Sequence, residues 1–308
     1  MNILDRLNAV IDYAERNITE DIDLNHLANI ACCSTYNFQR MFVFITGISI
    51  VEYIRRRRLT AAAFELQQSD IKIIDLAMKY GYQSPVSFTR AFYAVHGVTP
   101  GEARKFNTVL KAFPRMRFQI IIKGVGEMNY RVVKTPPFQV FGLEGAVSTV
   151  NDERFFPHVG AIWNEFNNGQ EDSKYDRLFS DAGGARPSFF DTVFTRSDIC
   201  RINGLLNYKQ IDATTYGYML WSFVTPESKT KGYQIIDIPA STWAVFPSDP
   251  DDGRDVGTIL SEIYKRFYGE WLPASEYEKA DSPELEMYCG TPPKISYEVW
   301  MPIKKSSL

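Results

Sequence analysis

Histidine is scarce in this 308-residue chain, which has only His26, His96 and His158, and cysteine is nearly so, with Cys32, Cys33, Cys200 and Cys289. No two cysteines form a C-x-x-C pair and no histidine stands at ligand spacing from another donor, so neither a metal centre nor a disulfide framework is expected. Each thiol and imidazole reads as packing or surface. No run approaches the ~18 uninterrupted apolar residues of a membrane span. The opening "MNILDRLNAVIDYAERN" mixes acids among its apolar residues, where a targeting segment would place a basic stretch ahead of an apolar one. No membrane partner and a cytoplasmic location are therefore expected. No Ser-His-Asp or Cys-His constellation stands out for nucleophilic catalysis. The glycines of "DAGGARPS" (181–188) read as a turn rather than a nucleotide fingerprint. No cofactor is implied, and the chain is not expected to be an enzyme.

What is present is ordinary in amount and uneven in placement. A composition of 45% hydrophobic and 23% charged residues suits a globular chain, and the length leaves room for two cores. Residues 1–117 hold 15 basic and 11 acidic side chains, a net +4, whereas 118–308 hold 19 and 26, a net −7. A basic front and an acidic back suggest a polyanion-binding head joined to something that avoids polyanions.

The front carries one pattern twice. "STYNFQRMFVFITG" (34–47) and "SPVSFTRAFYAVHG" (84–97) both fit S-x3-F-x-R-x-F-x4-G. On a helix, Phe38, Met41, Phe42 and Ile45 form one apolar stripe, as do Phe88, Ala91, Phe92 and Val95, leaving Tyr36, Asn37, Gln39 and Arg40 on the opposite side. Ser34 and Ser84 stand at N-cap positions and Gly47 and Gly97 where a helix would end. A shorter helical pattern precedes each copy, with Leu27-Ala28 and Leu76-Ala77 at matching places. The layout predicts two helix-turn-helix units. Between them "ISIVEYIRRRRLTAAAFELQ" (48–67) predicts a linker helix of about 30 Å, near the ~34 Å of one DNA turn. Its four arginines must point all round it, one or two toward phosphate and the others into internal pairs.

With those landmarks, closed by "GVTPGEAR", residues from about 3 to 107 resemble the DNA-binding domain of the AraC/XylS family of transcription regulators. The resemblance implies that Tyr36, Asn37, Gln39 and Arg40 read DNA from the first unit. It implies the same of Gln83, Ser84, Ser87 and Arg90 in the second. It further implies double-stranded promoter DNA and RNA polymerase as partners. Pro85 and Val86 stand where close relatives have polar side chains, which points to fewer base-edge bonds or apolar contact with a thymine methyl.

The expected division is a head over 1–110, a connection over 111–127 and a second domain over 128–308. From Met128 onward short β-rich runs, "SFFDTVF" and "PELEMYCG" among them, alternate with two helical stretches, which gives an α+β domain. It is doubled: Pro136 follows Tyr130 at the same spacing as Pro239 follows Tyr233. The fold class expected is thus multi-domain, an all-α tandem helix-turn-helix head and an α+β tail of two β-α-β half-repeats. The two helices should cover one face of a shared sheet and leave a concavity on the other. The order of "FYGEWLPASEYEKADSPELEMY" and "ISYEVWMPIKK" makes the tail resemble the GyrI-like small-molecule-binding domain, an effector domain of some regulators. The head comes first here, whereas in most AraC/XylS relatives it comes last.

Strand alternation in "SPELEMYCG" places Leu285 and Met287 on one face, suited to packing under a helix, and Glu284, Glu286 and Tyr288 on the other. The resemblance selects Glu286 with Tyr288 as ligand-binding residues, with Glu284, Trp163 and Trp221 as further candidates. Aromatic walls around an acid favour a lipophilic, cationic effector. Two alternatives stay open: a tail that hydrolyses small reactive compounds, and a tail that docks a protein partner.

Overall fold

The apolar stripes of the first hundred residues come together as helices, as their spacing predicts. The computed structural model describes residues 3–105, 108–118, 128–148, 155–166, 173–194, 198–212, 215–248, 254–291 and 294–306. The chain falls into two compact units, the main boundary lying between Ile122 and Lys123. In the head, α1 (Ile3–Arg16) precedes a first helix pair, α2 (Leu24–Ile30) and α3 (Thr35–Thr46). The linker helix α4 (Ile50–Gln68) leads to a second pair, α5 (Ile73–Lys79) and α6 (Pro85–His96), and to the short α7 (Pro100–Ala103).

The two pairs are built alike. Leu27-Ala28 and Leu76-Ala77 are buried, and each shorter helix ends in the same turn. Cys33 N–H donates to Ala28 O and Tyr82 N–H to Ala77 O, closing a loop whose preceding residue must be left-handed. In the second turn that residue is Gly81 (φ 81°), in the first it is Cys32 (φ 56°), where a side chain costs about 1–2 kcal/mol. Ser34 Oγ accepts from Asn37 N at 3.4 Å and Ser84 Oγ from Ser87 N at 3.2 Å. Gly47 and Gly97 end their helices at φ 78° and 76°. Leu59, Ala62, Ala63 and Leu66 of α4 pack on Leu76, Ala77, Phe88 and Phe92.

The four consecutive arginines of α4 are expected to divide between phosphate and internal pairs. All four are engaged inside the head. Arg55 and Arg56 pair with Glu52 one turn back, at 2.7 and 2.5 Å. Arg57 forms a two-pronged bond to Glu15 of α1, both contacts 2.7 Å, and donates to Phe113 O at 2.5 Å. Arg58 donates to the carbonyls of Ile18 and Glu20 at 2.8 and 2.5 Å. Residues 108–118, read as the end of the head and the start of a connection, pack against it. Phe113 N–H donates to Thr60 Oγ1, Met116 N–H to Tyr53 Oη and Phe118 N–H to Asn8 Oδ1, at 2.9 to 3.2 Å.

In the tail, β1 (Arg131–Thr135) and β2 (Phe138–Ser148) are followed by α8 (Phe155–Phe166), α9 (Lys174–Asp181) and α10 (Phe190–Val193). Then come β3 (Asn203–Leu206), β4 (Thr215–Phe223), β5 (Gln234–Ile238), β6 (Ser241–Pro247) and α11 (Val256–Arg266). A π-helical turn, Phe267–Trp271, extends α11 before β7 (Tyr277–Lys279), β8 (Glu284–Thr291) and β9 (Lys294–Lys305). Among the described residues one antiparallel sheet holds nine strands in the order β1-β6-β9-β8-β3-β4-β2-β5, with β7 beside β9.

That order is a palindrome of the two halves, each a strand pair, a helical segment and another strand pair. The halves exchange their short first strands. β1 pairs with β6 with Thr135 opposite Ser241, and β5 pairs with β2 with Ile238 opposite Phe138. The repeated prolines, Pro136 and Pro239, sit at the turns out of these strands, where no ladder N–H is needed. Leu205 faces Leu285 where β3 meets β8, the centre of the pseudo-twofold. Two readings need correction. "SFFDTVF" contains the helical turn α10, whose Phe190 packs into an apolar core with Phe194 and Phe223. The sheet face is also the reverse of that expected: Leu285, Met287 and Cys289 join the α10 core with Trp221, Trp243 and Trp300. The Glu286 side faces α8 and α11 instead.

The Glu15–Arg57 pair gives the head an acid-sensitive brace. Burial raises the Glu15 pKa, but the hydrogen bonds from Arg57 and Tyr53 outweigh it and hold it below its usual 4.5. Its stabilisation is therefore complete above about pH 4.5 and is lost as the pH falls through the lowered value. Glu15→Gln is expected to destabilise the head by roughly 1.5–3 kcal/mol at pH 7. Urea unfolding followed at pH 7 and pH 3.5 should show that gap shrinking in acid.

Candidate functional site

The two capped helices carry the side chains expected to read DNA. On α3 the stripe Phe38, Met41 and Phe42 is buried; Tyr36, Asn37, Gln39 and Arg40, on the opposite side by helical phase, are buried as well, none more than 3% exposed. Arg40 Nη1 donates to Tyr36 Oη at 2.9 Å, with its guanidinium 5.3 Å from the ring. The tyrosine thus orients the arginine one turn on. Gln83, in the turn before α6, and Val86, Ser87 and Arg90 of α6 are exposed. Ser84 carries the N-cap, and Ser87 Oγ donates back to Ser84 O at 2.9 Å. Both hydroxyls therefore serve the helix start. Val86 is 69% exposed, an apolar side chain where an apolar groove contact has been expected.

In the tail, the residues of the Glu286 face converge. Glu286 is buried and opposes Gly204 across the β3–β8 ladder. Its carboxylate accepts from Tyr218 Oη of β4 at 3.2 Å, from Tyr264 Oη of α11 at 3.2 Å and from Tyr288 Oη at 3.4 Å. Trp163 of α8 donates its indole N–H to Tyr218 Oη at 3.1 Å and sets its ring edge-on to Tyr288, centroids 5.1 Å apart. Burial, then the nearby Tyr288 and Glu286, push the Tyr218 hydroxyl well above 10. Burial and then Glu286 do the same for Tyr288. Both phenols stay protonated at neutral pH and act as donors, so a carboxylate held by neutral hydroxyls stands among aromatic faces. That arrangement suits a cation with an apolar body.

Glu286, Tyr288 and Trp163 are thus brought together, and two other candidates are not. Trp221 lies three residues from Tyr218 on β4, hence on the other face, fully buried in the α10 core. Glu284 is tied to Lys279 at 2.9 Å, both side chains almost wholly buried, so its charge is already matched inside the fold. Sequence reasoning picks out neither Tyr264 nor Tyr218 as a site residue. The signal for Tyr264 was its place one turn from Leu260 in the buried stripe of α11. Among the described residues no group of three or more His, Cys, Asp or Glu is arranged to hold a metal ion, and no helix is long and apolar enough to cross a membrane.

A family model described as a helix-turn-helix domain matches residues 27–105. The Tn10 TetD protein of Escherichia coli is 40% identical over 96 residues, 31% of this chain and 70% of TetD. The multiple antibiotic resistance protein MarA of Escherichia coli K12 is 33% identical over 101 residues, 33% of this chain and 80% of MarA. The chain belongs to the AraC/XylS family of transcription regulators. This AraC-family regulator is therefore a DNA-binding protein. A second model, the GyrI-like small molecule binding domain, matches residues 204–304, which adds effector binding to the tail. Among solved structures, SAV2435 bound to tetraphenylphosphonium aligns with a TM-score of 0.42 and 16% identity, covering 57% of this chain and 94% of that one. That likeness is too distant to bear on the ligand.

Gly204 is the position on which the Glu286 cluster is most exacting. A Cβ there would stand 2.5 Å from Tyr218 Oη and 2.8 Å from Glu286 Oε2. Gly204→Ala is expected to cost roughly 1–3 kcal/mol by overpacking and to change Trp163 fluorescence. Gly269→Ala, where nothing lies within 4 Å of the added carbon, should do neither. Thermal melts and emission spectra of the two variants check the contrast.

Proposed function

We propose that this AraC-family regulator reads promoter DNA through Tyr36, Asn37, Gln39 and Arg40 of α3 and through Gln83, Val86, Ser87 and Arg90 at the start of α6. We propose further that its tail binds a lipophilic cationic effector on Glu286, with Tyr288, Tyr218, Tyr264 and Trp163 as the walls. It works in the cytoplasm with RNA polymerase as its protein partner, and it has no catalytic turnover. The observation that carries the effector reading is the convergence of three tyrosine hydroxyls on Glu286. Hydroxyls position a carboxylate without neutralising it, so a ligand cation gains both charge and ring-face contact. Likeness to MarA, named for multiple antibiotic resistance, supports a multidrug or stress response as the setting.

DNA recognition is tested on duplexes selected from a random pool by the full chain. Affinity should fall steeply with salt as counterions are released. Arg90→Ala should cost roughly 1–3 kcal/mol on the selected site if the guanidinium reads a guanine. An equal loss on every duplex would make it a phosphate contact instead.

Effector binding is tested by calorimetry with tetraphenylphosphonium. Glu286→Gln should weaken it at least tenfold, or ~1.4 kcal/mol, with DNA affinity unchanged. Equal affinity in both proteins would move the cation site elsewhere. Product analysis of the bound compound after incubation separates sensing from hydrolysis, since the same carboxylate and phenols would serve a hydrolase as acid and base.

A further inference from the structure

A cleft lies in the head, lined by none of the side chains assigned above. It encloses about 390 Å³ between the two helix-turn-helix units, within the range of small-molecule sites. Ile22 and Leu24 wall it at the approach to α2, and Val51 and Ile54 wall it from α4. The turn Tyr80-Gly81-Tyr82 before α6 closes the far side, and Arg55 and Arg58 of α4 supply its charge.

The polar groups of the cleft are unequally satisfied. Arg55 is matched by Glu52, with bonds of 2.7 and 2.8 Å. Arg58 binds the backbone carbonyls of Ile18 and Glu20, and among the described residues no carboxylate pairs with it. Carbonyls satisfy its N–H groups without cancelling its charge. Gly81 leaves that guanidinium room: a Cβ there would stand 3.0 Å from Arg58 Nη1. The Tyr82 hydroxyl is buried with no hydrogen-bond partner, a costly state for a donor. Burial raises its pKa, and the guanidiniums of Arg55 and Arg58 oppose that rise, so both charges bear on the same hydroxyl. The acid in the lining, Asp21, is exposed.

We infer that this cleft binds an amphipathic monocarboxylate, its apolar body against Ile22, Leu24, Val51 and Ile54 and its carboxylate on Arg58 and the Tyr82 hydroxyl. An anion supplies the charge Arg58 lacks and the acceptor Tyr82 lacks. A cation is disfavoured by two guanidiniums. The occupant would touch α2, α4 and the turn before α6 together, so it would bear on how the two reading helices are held. The inference does not rest on the tail's effector site, which takes the opposite charge.

The probe is 2-naphthoate, titrated into the full chain by calorimetry, with methyl 2-naphthoate as the uncharged counterpart. Saturable binding of the acid, at least tenfold tighter than of the ester, is expected. Arg58→Gln should weaken it at least tenfold and Tyr82→Phe several-fold. Because Arg58→Gln also removes two bonds to backbone, Ile22→Trp serves as a second test: it fills the cleft with the charges intact and should abolish binding without lowering the melting temperature. Glu286→Gln should leave naphthoate affinity unchanged. The inference is overturned if naphthoate does not bind, if the ester binds as well, if Tyr82→Phe and Ile22→Trp bind like the parent, or if Glu286→Gln removes binding.

Discussion

A carboxylate inside a sheet is tolerable only when every lone pair is met, and Glu286 sets that requirement for the tail. Three hydroxyls from β4, β8 and α11 converge on it, and each comes from an element that must then be placed to within a few tenths of an ångström. The constraint reaches the neighbouring strand as well. Gly204 carries no side chain because the space a Cβ would fill holds Tyr218 Oη and Glu286 Oε2. Trp163 ties α8 to the same group through Tyr218. The polar cluster thus fixes helix-to-sheet geometry that apolar packing alone would leave adjustable.

The head solves a similar problem with charge. Two short helix pairs cannot fix their own separation, so the task falls to α4, whose arginines reach α1, the approach to α2 and the strap after α7. Residues 113–118 complete the bracing by giving their backbone donors to Thr60, Tyr53 and Asn8. The spacing between the reading helices is therefore set by a network that spans the whole head.

Local chemistry was legible in the sequence, and partners distant in the chain were not. The stripes, the caps at Ser34 and Ser84 and the left-handed ends at Gly47 and Gly97 depend on neighbours within a turn. The doubled tail could be read from its prolines and tyrosines. Alternation separated Leu285 from Glu286 but could not say which face meets the helices, because a two-sided strand is compatible with either. In β4 every residue from Tyr216 to Phe223 is buried, so Trp221 carried no periodic signal to set it apart from Tyr218. The partner of Arg57 could not be read from the sequence because Glu15 lies 42 positions away. Glu284 looked available because Lys279, five residues earlier, reaches it only through tertiary structure.

The exchange of short strands sets the order in which the tail can form on a ribosome. When residues 128–223 have emerged, β1 has no partner and β2 is open along the edge that β5 will cover. Neither half completes its ladder until the other has been made, and Arg131 meets Glu298 only 167 residues later. The head, whose contacts are far more local, can fold while that wait continues. The tail's pairing has high contact order, and chains cut short within its second half expose a bare strand edge.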